Sequence, residues 1–349
     1  MKVAIVADPI YPVPPRAYGG TERMIFYLIK GLLEAGHEPV LFGPGDSKVD
    51  CEVVPIVKKS IGYPKTLAGL PAHKLRVQSV KQHTRKLLRK RLKSFDIIHS
   101  EGFDLRAFKH FPNVTTLNGP IIFSDLKYFL ARRDLYYVSI SKNQQRALPQ
   151  LKYAGVVYNG EDPAEFPIIE EPQNYLCFIG RFDHDKNPHL AIQLAINLGM
   201  KIKLAGKIDF YGISYFKEEV EPFLNHPLVE FLGELDSADR TELVANAKCN
   251  FHPTGFREPF GLTIMEAAYC GTPTLAIERG SMPELIREGK TGMLVEDFEE
   301  GYSQIEACFK MDRKYIARRT RRHFNYKRMA EGYIKAYKKV IREFDKTKN

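Results

Sequence analysis

No run of about 18 uninterrupted apolar residues occurs in the 349-residue sequence, so a membrane-spanning helix is not expected. Low-complexity tracts and Cys-x-x-Cys pairs are also missing. The five cysteines, Cys51, Cys177, Cys249, Cys270 and Cys308, are odd in number and far apart. That argues against a disulfide frame or a zinc site, and fits reduced, buried thiols in a cytoplasmic protein. The opening "MKVAIVADPIYP" has a short apolar run and then prolines, which reads as a buried first strand and not as a signal peptide. Acidic residues are scarce in two places. Residues 74–93 hold nine Lys or Arg and no acid, and residues 310–348 are also strongly basic. With a formal net charge of +10, the chain should attract something anionic: nucleotide phosphates, nucleic acid or an acidic membrane surface.

What is present is an alternation of short apolar runs with helix-like segments. "KVAIVA" (2–7), "EPVLF" (38–42), "CEVVPI" (51–56), "DIIHS" (96–100), "NVTTL" (113–117), "LYYVSI" (135–140) and "AGVVYN" (154–159) are continuous apolar runs. Such runs mark strands covered on both faces, as in a parallel sheet. Intervening helices, among them one at about 21–35 and a long basic one at about 73–93, predict a doubly wound α/β domain. "NGEDPAEFPIIEEPQN" then reads as a linker, and the pattern restarts with "YLCFIG", "KIKLAG", "VEFLG", "CNFHP", "TPTLAI" and "GMLVE", with a helix expected near 213–224. Length and pattern together predict two similar domains joined near residue 168, with a ligand site beyond the carboxyl ends of their strands, in a cleft between them. The last ~25 residues form an amphipathic helix carrying Tyr326, Met329, Tyr333, Tyr337 and Val340.

Three stretches carry chemistry. In "FREPFGLTIMEAAYCGTP" (256–273), Glu258 precedes a helix that begins near Gly261 to Thr263, and Glu266 lies one turn inside it. The first N–H groups of that helix form an anion site, and Gly261 lets an anion come close to the backbone. Glu266 can accept hydrogen bonds from two vicinal hydroxyls, such as those of a ribose. A ligand with hydroxyls at both ends and a phosphate between suits this layout, although two solvated acids around a capped helix would leave the same spacing. In "FIGRFDHDKNPHLAI", Arg181 and Lys186 flank a loop after a strand and can hold a diphosphate, doing the work a metal does elsewhere. The embedded Asp183-His184-Asp185 mimics an Asp-x-Asp metal motif but sits between those two cations. In "ADPIYPVPPRAYGGTER", Gly19 and Gly20 open a helix and make a second backbone cradle, without a Gly-x-Gly-x-x-Gly fingerprint.

With these stretches in place, the chain resembles the family 4 retaining glycosyltransferases of the GT-B fold. The likeness runs through "YGGTER", "DIIHS", "YNGEDPAEF", "FIGRFDHDKNPHLAI", "LAGK", "VEFLGEL", "EPFGLTIMEAAYCGTPTLA" and "MPELIREGKTGMLV". The stretch "YPVPPRAYGGTE" is most similar to the avilamycin-pathway subgroup. The resemblance implies two Rossmann-like doubly wound domains facing a deep cleft. An acceptor-binding domain would span residues 1–168 and a donor-binding domain 169–325, with a helix at 326–349 crossing back to the first domain. It implies transfer of a hexosyl unit, with retention of configuration and without a metal or other cofactor. The donor would be a UDP- or GDP-sugar, and the acceptor a saccharide, a lipid-linked glycan or a small molecule. Carried over by position, Glu258 would contact the donor sugar, and Phe260, Gly261, Leu262 and Thr263 the sugar and phosphate. Glu266 would hold the ribose, Arg181 and Lys186 the diphosphate, Gly19 and Gly20 the diphosphate from the other domain, and Gly206 and Leu235 would border the base. Many relatives carry a His near the sugar where this chain has Asn118; His99 and Glu101 are candidate replacements for its role.

Other readings of the residues stay open: an epimerase or sugar phosphorylase on the same fold, or a basic protein that binds membrane or nucleic acid. Residues 73–93 suit a peripheral contact on the inner face of a membrane; no nucleic-acid fold or aromatic stacking series supports the nucleic-acid option.

Overall fold

The computed structural model describes residues 1–16, 19–64 and 66–346, so Ala17 and Tyr18 of the "YPVPPRAYGGTE" stretch lie outside the described residues. The chain divides into two compact units, Met1–Glu161 with Tyr326–Asn349, and Asp162–Asn325.

The first unit is a seven-stranded, all-parallel sheet. Its strands are β1 (Lys2–Val6), β2 (Glu38–Pro44), β3 (Glu52–Val57), β4 (Ile97–Ser100), β5 (Asn113–Leu117), β6 (Tyr136–Ser139) and β7 (Lys152–Val156). They lie in the order β3-β2-β1-β4-β5-β6-β7. The order reverses between β1 and β4, which places a crevice at their carboxyl ends. β1, β4 and β6 are buried along nearly their whole length, as continuous apolar runs require when helices cover both faces. The Tyr326–Lys346 helix buries Tyr326, Met329, Ala330, Tyr333, Ala336, Tyr337 and Val340 in steps of three and four. It packs on the Gly20–Glu34 helix, on β7 and on β5, so this C-terminal segment belongs to the first unit.

The second unit is a six-stranded parallel sheet: β8 (Tyr175–Ile179), β9 (Lys201–Ala205), β10 (Val229–Gly233), β11 (Cys249–His252), β12 (Thr274–Ile277) and β13 (Gly292–Val295). The order is β10-β9-β8-β11-β12-β13, with its reversal between β8 and β11. Phe178, Phe182, Phe251 and Phe298 fill the core beneath.

Two differences from the sequence pattern have physical causes. The passage between units falls at 161/162, not 168. Glu161 is held in the first unit, 3.3 Å from Arg23 Nε, and its carbonyl accepts the Tyr326 N–H. Phe166 is held in the second, its ring 4.9 Å from that of Tyr269. The helix expected at 213–224 is one α-turn, Ile213–Tyr215, continued by a π-turn to Val220 and a 3-10 turn, Glu221–Phe223. Pro222 there lacks the N–H that an α-helix would need. The basic helix spans Leu70–Arg91; its Val80, Leu87 and Leu88 pack on the core of the first unit, while Leu75 is exposed. Three of its cations serve the fold: Lys81 pairs with Asp8, Arg85 lies over Phe103, and Arg91 pairs with Glu52. Lys74, Arg76, Lys86, Arg89, Lys90 and Lys93 are exposed, and no carboxylate ion-pairs with them among the described residues.

All five cysteines are free thiols, four of them buried. Among the described residues no helix is long and apolar enough to cross a membrane.

Candidate functional site

In the second unit, the chemistry-bearing residues follow the carboxyl ends of four adjacent strands. Gly180 and Arg181 follow β8, Gly206 follows β9, Leu235 lies just beyond β10, and the loop carrying Glu258 follows β11. The reversal between β8 and β11 therefore brings residue 181 and residue 258 to one crevice, although 77 positions separate them in the sequence.

Glu258 is the centre of this group. Its carboxylate accepts a hydrogen bond from Lys186 Nζ and lies 3.5 Å from His252 Nε2. Burial alone would push this carboxyl up; the Lys186 charge, assisted by His252, outweighs burial and holds it at about 2. Glu258 is therefore an anion over the whole neutral range. Burial keeps the His252 imidazole below its usual range, and its Nε2 is 2.9 Å from Thr254 Oγ1. Arg181 Nη1 lies 3.1 Å from Asp183, and its Nη2 3.5 Å from Asp185. Asp183 also accepts the Lys186 backbone N–H at 3.0 Å. Both acids of the Asp-x-Asp look-alike thus hold Arg181, and Asp183 also fixes the backbone at Lys186. The loop is pinned to the one beyond β11 by Asn187 Nδ2 donating to the Pro253 carbonyl and by Gly255 N–H donating to the Asp185 carbonyl.

The Leu262–Tyr269 helix starts at Gly261, whose φ of 102° and left-handed conformation favour glycine. Glu266 is 2% exposed, and its Oε2 accepts from Arg240 Nε at 2.9 Å. Arg240 comes from the neighbouring Ser237–Asn246 helix and carried no signal in the sequence. Phe260 needs a correction: its side chain is 2% exposed, its ring faces Phe324 at 6.3 Å, and its carbonyl accepts from Ser281 Oγ. Packing takes the ring, so the side chain supports the helix start and only the backbone of Phe260 is left to meet a ligand. Leu262 and Thr263 are half-buried. Gly206 has φ 151°, and a Cβ there would come within 1.7 Å of the Gly180 carbonyl oxygen. We expect Gly206→Ala to destabilise the protein by about 3 kcal/mol or more in denaturant titration, because backbone has to move; a loss below about 1 kcal/mol would show that the strand ends can part freely.

In the first unit, Gly19 (φ 152°) caps the Gly20–Glu34 helix without a side-chain bond. The Glu22 carboxylate lies beside it, 3.0 Å from where a Gly19 Cβ would be. Burial pushes the Glu22 carboxyl up to about 7; its own backbone N–H opposes this, and Asp8 and Glu101 add to it. The crevice between β1 and β4 is therefore acidic, and the Gly19-Gly20 cradle already faces a carboxyl of its own chain.

His99 also needs a correction. It is 0% exposed, with Nδ1 2.6 Å from the Tyr337 hydroxyl and Nε2 2.7 Å from Thr116 Oγ1 and 3.0 Å from Glu101 Oε1. Tyrosines of the C-terminal helix cover it, so it positions Glu101 and cannot touch a substrate. Asn118 stands differently: it is half-buried, and its Nδ2 donates to Glu101 Oε2 at 2.6 Å. Both line a cavity of about 420 Å³ beyond β4 and β5, with Asp104, Tyr128 and Arg132. His252, Arg240, Glu22 and this cavity went unnoticed in the sequence. A histidine at the end of a strand, in "CNFHP", was the only available signal.

Solved structures share this architecture. AviGT4, a glycosyltransferase involved in avilamycin A biosynthesis, superposes with a TM-score of 0.74 at 20% identity over 98% of both chains. Sucrose-phosphate synthase from Thermosynechococcus elongatus gives 0.77 at 17% identity, over 98% of this chain and 99% of the other. Anabaena HepE in complex with UDP-glucose gives 0.65 at 18% identity over 99% of both chains. The two Rossmann-like units are those of the GT-B glycosyltransferase fold. The family description "Glycosyltransferase Family 4" matches residues 18–165, and "Glycosyl transferases group 1" matches residues 162–318. Between them the two matches span residues 18–318, so the chain carries a glycosyltransferase domain of each description. Curated relatives from Mycobacterium tuberculosis and Mycobacterium bovis, D-inositol 3-phosphate glycosyltransferases, are 26% identical over 186 residues, half of this chain and 38% of theirs. The match thus spans less than two fifths of the length of those relatives.

Proposed function

We propose that the protein transfers a hexosyl unit from a UDP- or GDP-sugar to a hydroxyl acceptor, with retention of configuration and without a metal. The observation that carries this reading is the Lys186–Glu258–His252 cluster, with Arg181 beside it at the sheet reversal of the second unit and Gly261 opening a helix after the same loop. Lys186 and Arg181 supply positive charge where the leaving diphosphate gains negative charge. The fixed Glu258 anion accepts hydroxyls of the sugar, and Glu266, held by Arg240, accepts those of a ribose. Since Asp183 and Asp185 are engaged by Arg181, they favour cation orientation over metal binding. HepE, a protein of the same fold, was solved with UDP and glucose, which supports a uridine nucleotide as the first donor to try. The acceptor is assigned to the first unit, where Asn118, hydrogen-bonded to Glu101, occupies the position that many relatives fill with a His.

A thermal-shift screen of UDP, GDP, UDP-glucose and GDP-mannose tests the donor. At about 100 times Kd a bound nucleotide stabilises by about 2.7 kcal/mol. No shift with any of the four would sink the reading. Incubation of labelled donor without acceptor separates transfer from epimerisation, since only an epimerase returns an isomeric donor. NMR of the product's anomeric carbon reads the stereochemistry.

The six exposed cations at 74–93 suit a peripheral membrane contact on the inner face of an anionic bilayer, at about 1 kcal/mol per cation near the surface. We expect Lys86→Glu with Arg89→Glu and Lys90→Glu to abolish co-sedimentation with phosphatidylserine vesicles while leaving nucleotide binding intact. Unchanged sedimentation would assign these charges to solvation alone.

A further inference from the structure

The 420 Å³ cavity of the first unit has the size of a small-molecule pocket, and its walls specify chemistry. The lining groups that carry charge at neutral pH are Glu101, Asp104, Asp125 and Arg132. Arg132 is not offered to an anion. Its Nη2 is 3.1 Å from Asp104 Oδ2, its Nη1 donates to the Tyr128 carbonyl at 2.7 Å, and its guanidinium lies 3.5 Å from the Tyr128 ring centre. Asp104 stays ionised, because hydrogen bonds from Arg132 and Arg106 outweigh its burial and hold it at about 2. Arg132 and, from outside the lining, Arg106 both pair with Asp104, and Glu101 Oε1 lies 3.0 Å from His99 Nε2. No Lys or Arg among the described residues ion-pairs with Glu101 or Asp125, so the lining itself presents three carboxylates against one guanidinium.

Beside the hydroxyls of Thr115 and Tyr128, which can donate or accept, its other polar groups favour acceptance. Because the Asn118 partner is a carboxylate oxygen, the amide NH2 must face Glu101, and this leaves the Asn118 carbonyl oxygen as an acceptor. Asp125 and the Asn118 carbonyl oxygen thus accept from a ligand, and Glu101, already met by His99 and Asn118, adds only its remaining lone pairs. A hydroxyl or an ammonium can donate; a phosphate or carboxylate at neutral pH can only accept. Tyr128, 43% exposed, adds apolar surface beside which a ring can pack, one face of its own ring being covered by Arg132.

We propose that this cavity takes the accepting unit as a polyhydroxylated ring, uncharged or amine-bearing, and rejects acceptors carrying phosphate or carboxylate on that unit. The inference rests on the glycosyl-transfer reading above. It sets the protein apart from the curated relatives, which are named for D-inositol 3-phosphate.

The test is transfer from the nucleotide sugar that the protein consumes to methyl glucoside, glucosamine and myo-inositol, each against glucose 6-phosphate and inositol 3-phosphate, at low and high ionic strength. We expect kcat/KM for the unphosphorylated rings to be at least about tenfold higher, with the gap shrinking as salt screens the carboxylates. Asp125→Lys should narrow it about tenfold by improving use of the phosphorylated rings, and Asp125→Asn, the milder change, should narrow it less. Preference for the phosphorylated rings, equal use of both kinds, or no use of the unphosphorylated ones overturns the proposal. So does a preference that neither salt nor the Asp125 variants move. If no nucleotide sugar is bound or consumed at all, the parent reading fails instead, which the thermal-shift screen shows separately.

Discussion

Lys186→Ala is expected to lower glycosyl transfer by about two to three orders of magnitude, the usual cost of removing one well-placed charge stabiliser. The same substitution should destabilise the second unit by about 3–5 kcal/mol, since it strands the Glu258 carboxylate in a buried site. These two losses have different origins and can be separated. In the double variant Lys186→Ala with Glu258→Gln, the stranded charge is gone. Stability should largely return, with a coupling visible in the double-mutant cycle, while transfer stays low. Denaturant titration and initial rates with the best-binding donor check both parts. A single variant that keeps its rate within about threefold would show that the leaving diphosphate is not held there. The pH dependence of stability gives an independent check. The Glu258 folded value of about 2 lies below its ordinary 4.5. Its stabilisation is therefore complete above pH 4.5 and is lost as pH falls towards 2, an effect on the order of 3 kcal/mol. Glu258→Gln should flatten the acid limb in that window.

The second large effect has the opposite sign. Glu22 holds its proton up to about pH 7, against an ordinary value of 4.5. Between those values the folded chain binds a proton that the unfolded chain has released, so stability falls as pH rises from 4.5 through 7. Glu22→Gln removes the buried charge at nearly constant size. At pH 8 it should stabilise the protein by up to about 3 kcal/mol, and at pH 4 by little. The melting temperature at the two pH values reads this directly. An equal change at both, or a loss at pH 8, would mean that burial does not govern the protonation of this carboxyl. A buried carboxyl beside Asp8 and Glu101 at the sheet reversal makes this crevice a candidate site.

Much of this was legible in one dimension. The apolar runs at 2–7, 96–100, 175–180 and 249–253 are parallel-sheet strands because a strand covered on both faces must be apolar throughout, and that requirement is local. The helix entrance at Gly261, the place of Glu266 one turn inside, and the cations 181 and 186 flanking one loop are also local spacings. They, and the stretches around them, pointed to the glycosyltransferase domains and the two-unit architecture. The partners of these groups could not be read, because sheet order and not sequence distance chooses them. Lys186 meets Glu258 across 72 positions, and Tyr337 covers His99 across 238. That covering removes His99 from the substrate and leaves Glu101 and Asn118 at the cavity. Likewise the nine cations of residues 74–93 looked alike in sequence, and only packing divided them into three that hold the fold and six that face solvent. The sequence by itself determined which elements form and which residues carry charge, because periodicity and side-chain chemistry are local properties. The tertiary structure alone decided which of those charges are neutralised, buried or offered, because desolvation and pairing depend on neighbours that only folding supplies.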